Sequence, residues 1–381
     1  MGTRLRGGKP IGRGLGERIA LREPGAVGWA SIVRRATIAE PEFRVLPTAT
    51  SMLLAVVRMT RPLVVTLLAS LVAACSGPKP DIPSEAEAAS FAQSVAAIAR
   101  RQARDDSIAA PGARSILLTH ERTTPSAVVL LHGLTDSPRQ FERLARLLFG
   151  DGDNVYVPRL PQHGLRGEDA RALGALTAQQ LRVAADSIVK EAGGLGRQIT
   201  VIGLSMGGAV AAWVAQQENV ERAVLIAPAI EPGRVPAMLD RPLIGLADRL
   251  PRMTRRSPPD SARPDREAGF NTRAAAEVLE LGSSVLALAS RTAPRARSIT
   301  VLVNANDRTV RETAAEQLAR RWKQHGADVN VYELPDSLRL PHNIIDPIGA
   351  HIDPDIVLNL LRELAAGRDP PSGVVRPLPV R

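Results

Sequence analysis

Two patterns of apolar and polar positions alternate along this chain. Short strand-type runs recur at Arg114–Arg122, Ala127–Leu131, Asn154–Pro158, Ile199–Ile202, Glu221–Ala227, Ile299–Asn304 and Ala327–Leu334. Stretches of helical character separate them, at Arg139–Phe149, Thr177–Ala192, Ala209–Gln217, Thr309–His325 and Asp355–Ala366. An earlier helix is predicted from Ser84, an N-cap residue, to the basic pair Arg100 and Arg101. Glu85 and Glu87 fall in its first turn, and Phe91, Val95 and Ile98 recur at helical spacing. Strands alternating with helices over about 250 residues predict an α/β fold, with a mostly parallel central sheet and helices on both faces.

One interval breaks the alternation. Between Pro228 and Ala296 the chain is rich in Pro and Arg, with helical pieces predicted at Ala237–Arg249 and Thr272–Ser290. Loops at the C-terminal edge of a parallel sheet surround the ligand crevice. An insertion at about 229–296 is therefore expected to cover that crevice and to shape its pocket.

The chain ends have different textures. Residues 1–58 show no sustained periodicity and do not read as a domain. Met59 to Ala74 carries Arg61, then a twelve-residue apolar run from Leu63 to Ala74. That run is short for a membrane-spanning helix but suits the core of a signal peptide. Val72-Ala73-Ala74-Cys75 resembles the lipobox of bacterial lipoproteins, in which the chain is cut before the cysteine and that residue is acylated. The resemblance implies that Cys75, the single cysteine, carries a lipid anchor, and that the protein belongs to the cell envelope. Ser76 after the cysteine, where an aspartate would signal inner-membrane retention, favours the outer membrane. A signal peptide works at an N-terminus, so Met59 or Met52 is the expected start and residues 1–58 an extension outside the mature protein. Residues 75–83 are expected to form a tether, 84–366 the folded α/β domain, and 367–381, with Pro370, Pro371, Pro377 and Pro379, an unstructured tail.

Composition adds limits. Hydrophobic residues make up 44% of the 381, enough for a sizeable core. The net charge is +10, but residues 1–58 hold ten Arg and Lys against four Glu, so six of the ten net charges lie there. The remainder has no basic cluster interleaved with aromatics, so a nucleic-acid partner is not expected. Nothing in the chain reports an oligomeric state.

The chemistry centres on Gly203-Leu204-Ser205-Met206-Gly207, which follows a strand and opens a helix. A serine on so tight a turn projects its hydroxyl, and the helix start offers N–H groups to a developing oxyanion. A serine needs a base. His342, a short loop after the last strand, is placed best among the six histidines, with His351 in reserve. His325 reads as a helix end, and His132 and His163 as loop-packing residues. Asp307, between a strand and a helix, is the candidate acid, although an N-cap role is also open to it; Glu231 is the alternative. The second oxyanion donor is expected from the loop His132-Gly133-Leu134, with the Leu134 N–H joining that of Met206.

Residues 114–366 resemble the α/β-hydrolase superfamily, and in particular its carboxylesterase and monoacylglycerol-lipase branch. His132-Gly133-Leu134-Thr135, Gly203-x-Ser205-Met206-Gly207-Gly208 and Asn306-Asp307-x-x-Val310 carry the likeness, in the order Ser, Asp, His. The histidine departs from the branch's frequent Ser-x-His pattern in having Pro341 before it. The resemblance implies an α/β-hydrolase fold with a small cover, no metal or organic cofactor, and a small-molecule ester or lipid substrate. Cleavage of short- or medium-chain acyl esters or monoacylglycerol through an acyl-enzyme on Ser205 is expected. Acyl transfer, thioester cleavage and cofactor-free haloperoxidase chemistry use the same constellation, and a non-catalytic envelope binding module is the reading from a different class.

Overall fold

The computed structural model describes residues 84–167, 172–231, 254–256, 269–346 and 353–380. The extension, the signal-peptide segment, Cys75, the tether up to residue 83, the helical piece expected at 237–249 and His351 lie outside them.

From Ser84 onward the order is α1 (Glu85–Ile108), β1 (Ile116–Leu118), β2 (Thr124–Leu131), α2 (Glu142–Gly150), β3 (Asn154–Val157), α3 (Ala178–Ala192) and β4 (Gly196–Leu204). Then come α4 (Met206–Gln217), β5 (Arg222–Ile226), and the short strands β6 (Thr254–Arg256) and β7 (Gly269–Asn271). The chain continues through α5 (Thr272–Ala289), β8 (Ser298–Asn304), α6 (Glu312–Gln324), β9 (Asp328–Leu334), α7 (Pro354–Ala365) and β10 (Arg376–Pro377).

The main sheet has the order β1-β3-β2-β4-β5-β8-β9-β10. Its six inner strands are parallel, as predicted, and the two edge strands run antiparallel to their neighbours. Strands buried on both faces carry continuous apolar runs, and Ala127 to Leu131 of β2 are all buried. The helices fall into two groups, one per face. Helices α2 and α7 pack on each other, while α3, α4, α5 and α6 pack side by side. Helix α4 is almost wholly buried, and its Ala- and Gly-rich sequence lets it lie close against β4, β5 and β2.

Three expectations change. Helix α1 does not end at Arg100 and Arg101. The Arg101 guanidinium turns inward and clasps Glu191 at 2.8 and 2.9 Å, and the Tyr156 hydroxyl donates to the same carboxylate at 2.7 Å. A turn later, buried Asp105 accepts from the Ser115 N–H and hydroxyl and from Arg159. These inward-facing charges carry the helix on to Ile108. The second piece of the 229–296 interval is more than a cover: α5 packs along α4 and α3 as part of the helix layer, while Ala275, Val278 and Leu279 wall the cavity that Ser205 lines.

The third correction concerns the tail. Residues 368–380 are not an unstructured end. Arg376 and Pro377 pair with Glu333 and Tyr332 of β9, and the Leu378 N–H donates to the Val331 carbonyl at 2.8 Å. Proline content, which suggested disorder, is compatible with an edge strand, where an N–H facing outward is not needed. Val374, Val375, Leu378 and Val380 pack partly against the core.

Under this strand lies a pair of carboxyls. Glu333 is buried, Arg376 reaches its Oε1 at 2.5 Å, and Glu312 at the start of α6 hydrogen-bonds to it. Burial first, and the bond and charge of Glu333 next, push Glu312 up from its ordinary 4.5 to about 7. A carboxyl whose folded pKa is raised stabilises the fold fully below its unfolded value and loses that contribution as pH rises through the folded one. Glu312→Gln, which keeps a donor toward Glu333 without a titrating proton, should therefore match the wild type near pH 4.5. It should gain stability over it between about pH 5 and pH 8, read by urea unfolding across pH. A pH-independent difference would dissociate Glu312 from this window.

Candidate active site

The strand order reverses around β2, whose neighbours are β3 on one side and β4 on the other. Ligand crevices in such sheets lie where the order reverses, beyond the carboxyl ends of the strands. The loop after β2 and the turn after β4 meet there.

Ser205 sits at that β4–α4 turn with φ 57° and ψ −112°, a backbone conformation costly for a residue with a side chain. The surroundings hold it. Its N–H donates to the Ile226 carbonyl at 2.9 Å, and its carbonyl accepts from Ala209 at 2.9 Å and Ala229 at 3.0 Å. Glycine is required on either side because strand and helix nearly touch. A Cβ at Gly203 would lie 2.0 Å from the Gly207 carbonyl oxygen, and one at Gly207 would lie 2.0 Å from that of Leu131. The first helical bond starts at Ala209, so the amides of Met206, Gly207 and Gly208 precede the ladder at the helix's positive end.

Asp307 and His342 meet by a 2.5 Å bond between Oδ2 and Nδ1. The acid's other oxygen accepts the Thr309 N–H at 2.7 Å. Helix α6 begins later than predicted, at Glu312, so Asp307 holds a turn rather than capping the helix. With Nδ1–H donating to the carboxylate, Nε2 of His342 is the ring's free acceptor. It is buried and has no hydrogen-bond partner. The loop beneath the imidazole is clamped by two asparagines of the Asn304-Ala305-Asn306-Asp307 run. Asn304 Nδ2 donates to the carbonyls of Leu340 and Pro341, each at 3.1 Å, and Asn306 Nδ2 to that of Leu340 at 3.0 Å.

The loop after β2 is held from inside. His132 Nε2 accepts the Leu160 N–H at 3.1 Å, so its Nδ1–H donates to the Gly133 carbonyl at 2.9 Å. His163 is wholly buried, 2.8 Å through Nε2 from the Leu134 carbonyl and 2.7 Å through Nδ1 from that of Pro161. Burial outweighs these bonds and lowers its pKa to about 4, so the ring is neutral at pH 7. Both histidines pack the loop. The Gly133 N–H donates to Gln140 Oε1 at 2.9 Å.

Ser205, Met206, Leu134 and His342 line one cavity of about 250 Å³, whose remaining wall is largely apolar, including Ala275, Val278 and Leu279 of α5. Asp307 reaches it through His342. The alternatives separate from this group. Glu231 binds Arg311 at 2.5 Å, and His325 ends α6. Among the described residues, no group of three or more His, Cys, Asp or Glu is placed to hold a metal ion. The sequence alone gives no role to Asn304, Gln140 or Asn343, and Asn306 stands out there only within the motif around Asp307. The signal for Asn304 was present, a polar residue closing an otherwise apolar strand; that for Gln140 and Asn343, 203 positions apart, was not.

Gly207→Ala forces a methyl group onto the Leu131 backbone, which has no side chain to swing away. It should destabilise the protein by about 3 kcal/mol or more in urea unfolding. A near-neutral variant would mean that β2 and α4 separate easily and that the serine turn is not rigid.

A model of the Alpha/beta hydrolase family matches residues 128–337. A search of curated proteins finds no match. Among solved structures, the chain resembles a metagenome-derived lipolytic enzyme reported in work on LipS and LipT, with 18% identity and TM-score 0.51 over 68% of this chain and 100% of the other. It also resembles the monoacylglycerol lipase of Paleococcus ferrophilus, with 18% identity and TM-score 0.50 over 67% and 98% of the two chains. A soluble variant of the monoglyceride lipase of Saccharomyces cerevisiae gives 16% and 0.50 over 68% and 94%.

Proposed function

This chain belongs to the Alpha/beta hydrolase family, and we propose that it is a serine ester hydrolase acting through an acyl-enzyme on Ser205. The observation that carries this is the 2.5 Å contact of Asp307 with His342, on a cavity that Ser205 also lines. In the proposed reaction His342 Nε2 takes the Ser205 proton as the oxygen attacks the ester carbonyl. Asp307 keeps the imidazole in the required tautomer and stabilises the imidazolium. The amides of Leu134 and Met206 hold the oxyanion, each donor being worth about 3 kcal/mol of barrier. His342 then protonates the departing alcohol, and water releases the acid by the same steps in reverse.

The cavity, of about 250 Å³ and so a little below the roughly 300–1,000 Å³ of small-molecule sites, favours esters of short or medium acyl chains. Monoacylglycerol is included because two of the similar structures are monoacylglycerol lipases. Hydrolysis of p-nitrophenyl esters from acetate to palmitate by residues 76–381 tests this. Activity should peak at short to medium chains, fall about 10⁵-fold or more in Ser205→Ala, and fall about 10⁴-fold in Asp307→Asn. A folded wild type inactive on every ester would overturn the proposal.

We further propose that the enzyme is anchored in the cell envelope, on the outer membrane where there is one, through lipid on Cys75. The support is the run from Met59 to Cys75. In bacteria expressing the chain, Cys75→Ser should abolish palmitate labelling and move the protein from the membrane to the soluble fraction. Unchanged membrane retention without label would exclude the lipid anchor.

A further inference from the structure

A chain of side-chain amides crosses the cavity wall, and its orientation is fixed at both ends by main-chain donors. The Gly133 N–H requires an acceptor, so Gln140 presents Oε1 to it at 2.9 Å. Gln140 Nε2 then donates to Asn343 Oδ1 at 3.1 Å. The Asp346 N–H donates to that same oxygen at 3.2 Å, so the Asn343 amide cannot be reversed. Its Nδ2, the last donor of the series, is buried and has no acceptor. Both Gln140 and Asn343 line the cavity.

A buried amide donor left unpaired forfeits the hydrogen bond it had to water. A ligand oxygen beside it restores such a bond, and a methylene in the same place does not. Asn343 follows His342 directly, and the base that protonates the departing group stands on the alcohol side of the ester. We propose that Asn343 Nδ2 is a specificity donor for the alcohol portion of the substrate, selecting alcohols with a second oxygen beside the ester, as in esters of glycerol and other polyols. Gln140 is a positioning residue, holding the Asn343 amide in the orientation that leaves Nδ2 free. The assignment rests on the ester-hydrolase proposal, because it presumes an alcohol leaving on the His342 side.

The test uses butyl butyrate and 2-methoxyethyl butyrate, which differ by one methylene against one ether oxygen. That oxygen only accepts, so it reports on a donor alone. The ratio of kcat/KM for the two esters, divided by their ratio in hydroxide-catalysed hydrolysis, should favour the ether ester about tenfold in the wild type. Asn343→Asp keeps an oxygen for Gln140 and the Asp346 N–H but removes the donor. Its effect on the base is common to both esters and cancels, so the corrected ratio should fall to about one or below. A wild-type ratio of one, or a ratio unchanged in Asn343→Asp, overturns the subsite while leaving ester hydrolysis standing. The wild-type comparison decides alone if the variant does not fold. Absence of turnover on both esters and on p-nitrophenyl butyrate overturns the hydrolase proposal, and the subsite with it.

Discussion

The structure depends on one close approach, that of β4 to α4. Gly203 allows the strand and the helix to come so near that even one methyl group would meet backbone. That approach leaves Ser205 a single course, with φ 57°, and sets the residue above the sheet with the start of α4 behind it. The neighbouring strands complete the constraint. Leu131 of β2 presses on Gly207, and the Ile226 carbonyl of β5 accepts from the serine N–H. Packing energy in the Ala-rich layer thus holds a backbone conformation that no local preference would choose.

The other parts of the site hang from loops, and each loop is held by side-chain amides or imidazoles bonded to main chain. His132 and His163 hold the loop after β2, and Asn304 and Asn306 hold the one after β9. Loop backbone buried near a cavity must find partners for its N–H and C=O groups. Rigid planar side chains supply them at low cost in conformational entropy. The site therefore combines a strained serine with heavily bonded surroundings.

Most of the fold is legible in the alternation of runs, because parallel strands buried on both faces have to be apolar throughout. The turn at Ser205 is legible because its glycines answer a steric need that few other arrangements have. Asp307 and His342 can be placed only to their strand ends, since their meeting depends on how β8 and β9 pair. Where local signals misled, long-range contacts had decided otherwise. Arg101 looked like a helix-terminal cation until Glu191 and Tyr156, from distant elements, gave it an interior partner. The Pro-rich tail looked structureless because prolines are read locally, whereas an edge position depends on the sheet already being there. The bond of Gln140 to Asn343 has no local trace at all.

That tail finishes the described sheet on the β9 side. Beyond it β9 would offer a bare row of main-chain donors and acceptors, to which another strand could add. Strand β10 occupies that row with a stretch only two residues long, and Pro377 and Pro379 bring no N–H of their own to its rim. These residues thus act as a selvedge along Val331, Tyr332 and Glu333 of β9, and a strand adding to the sheet there would first have to unpick them.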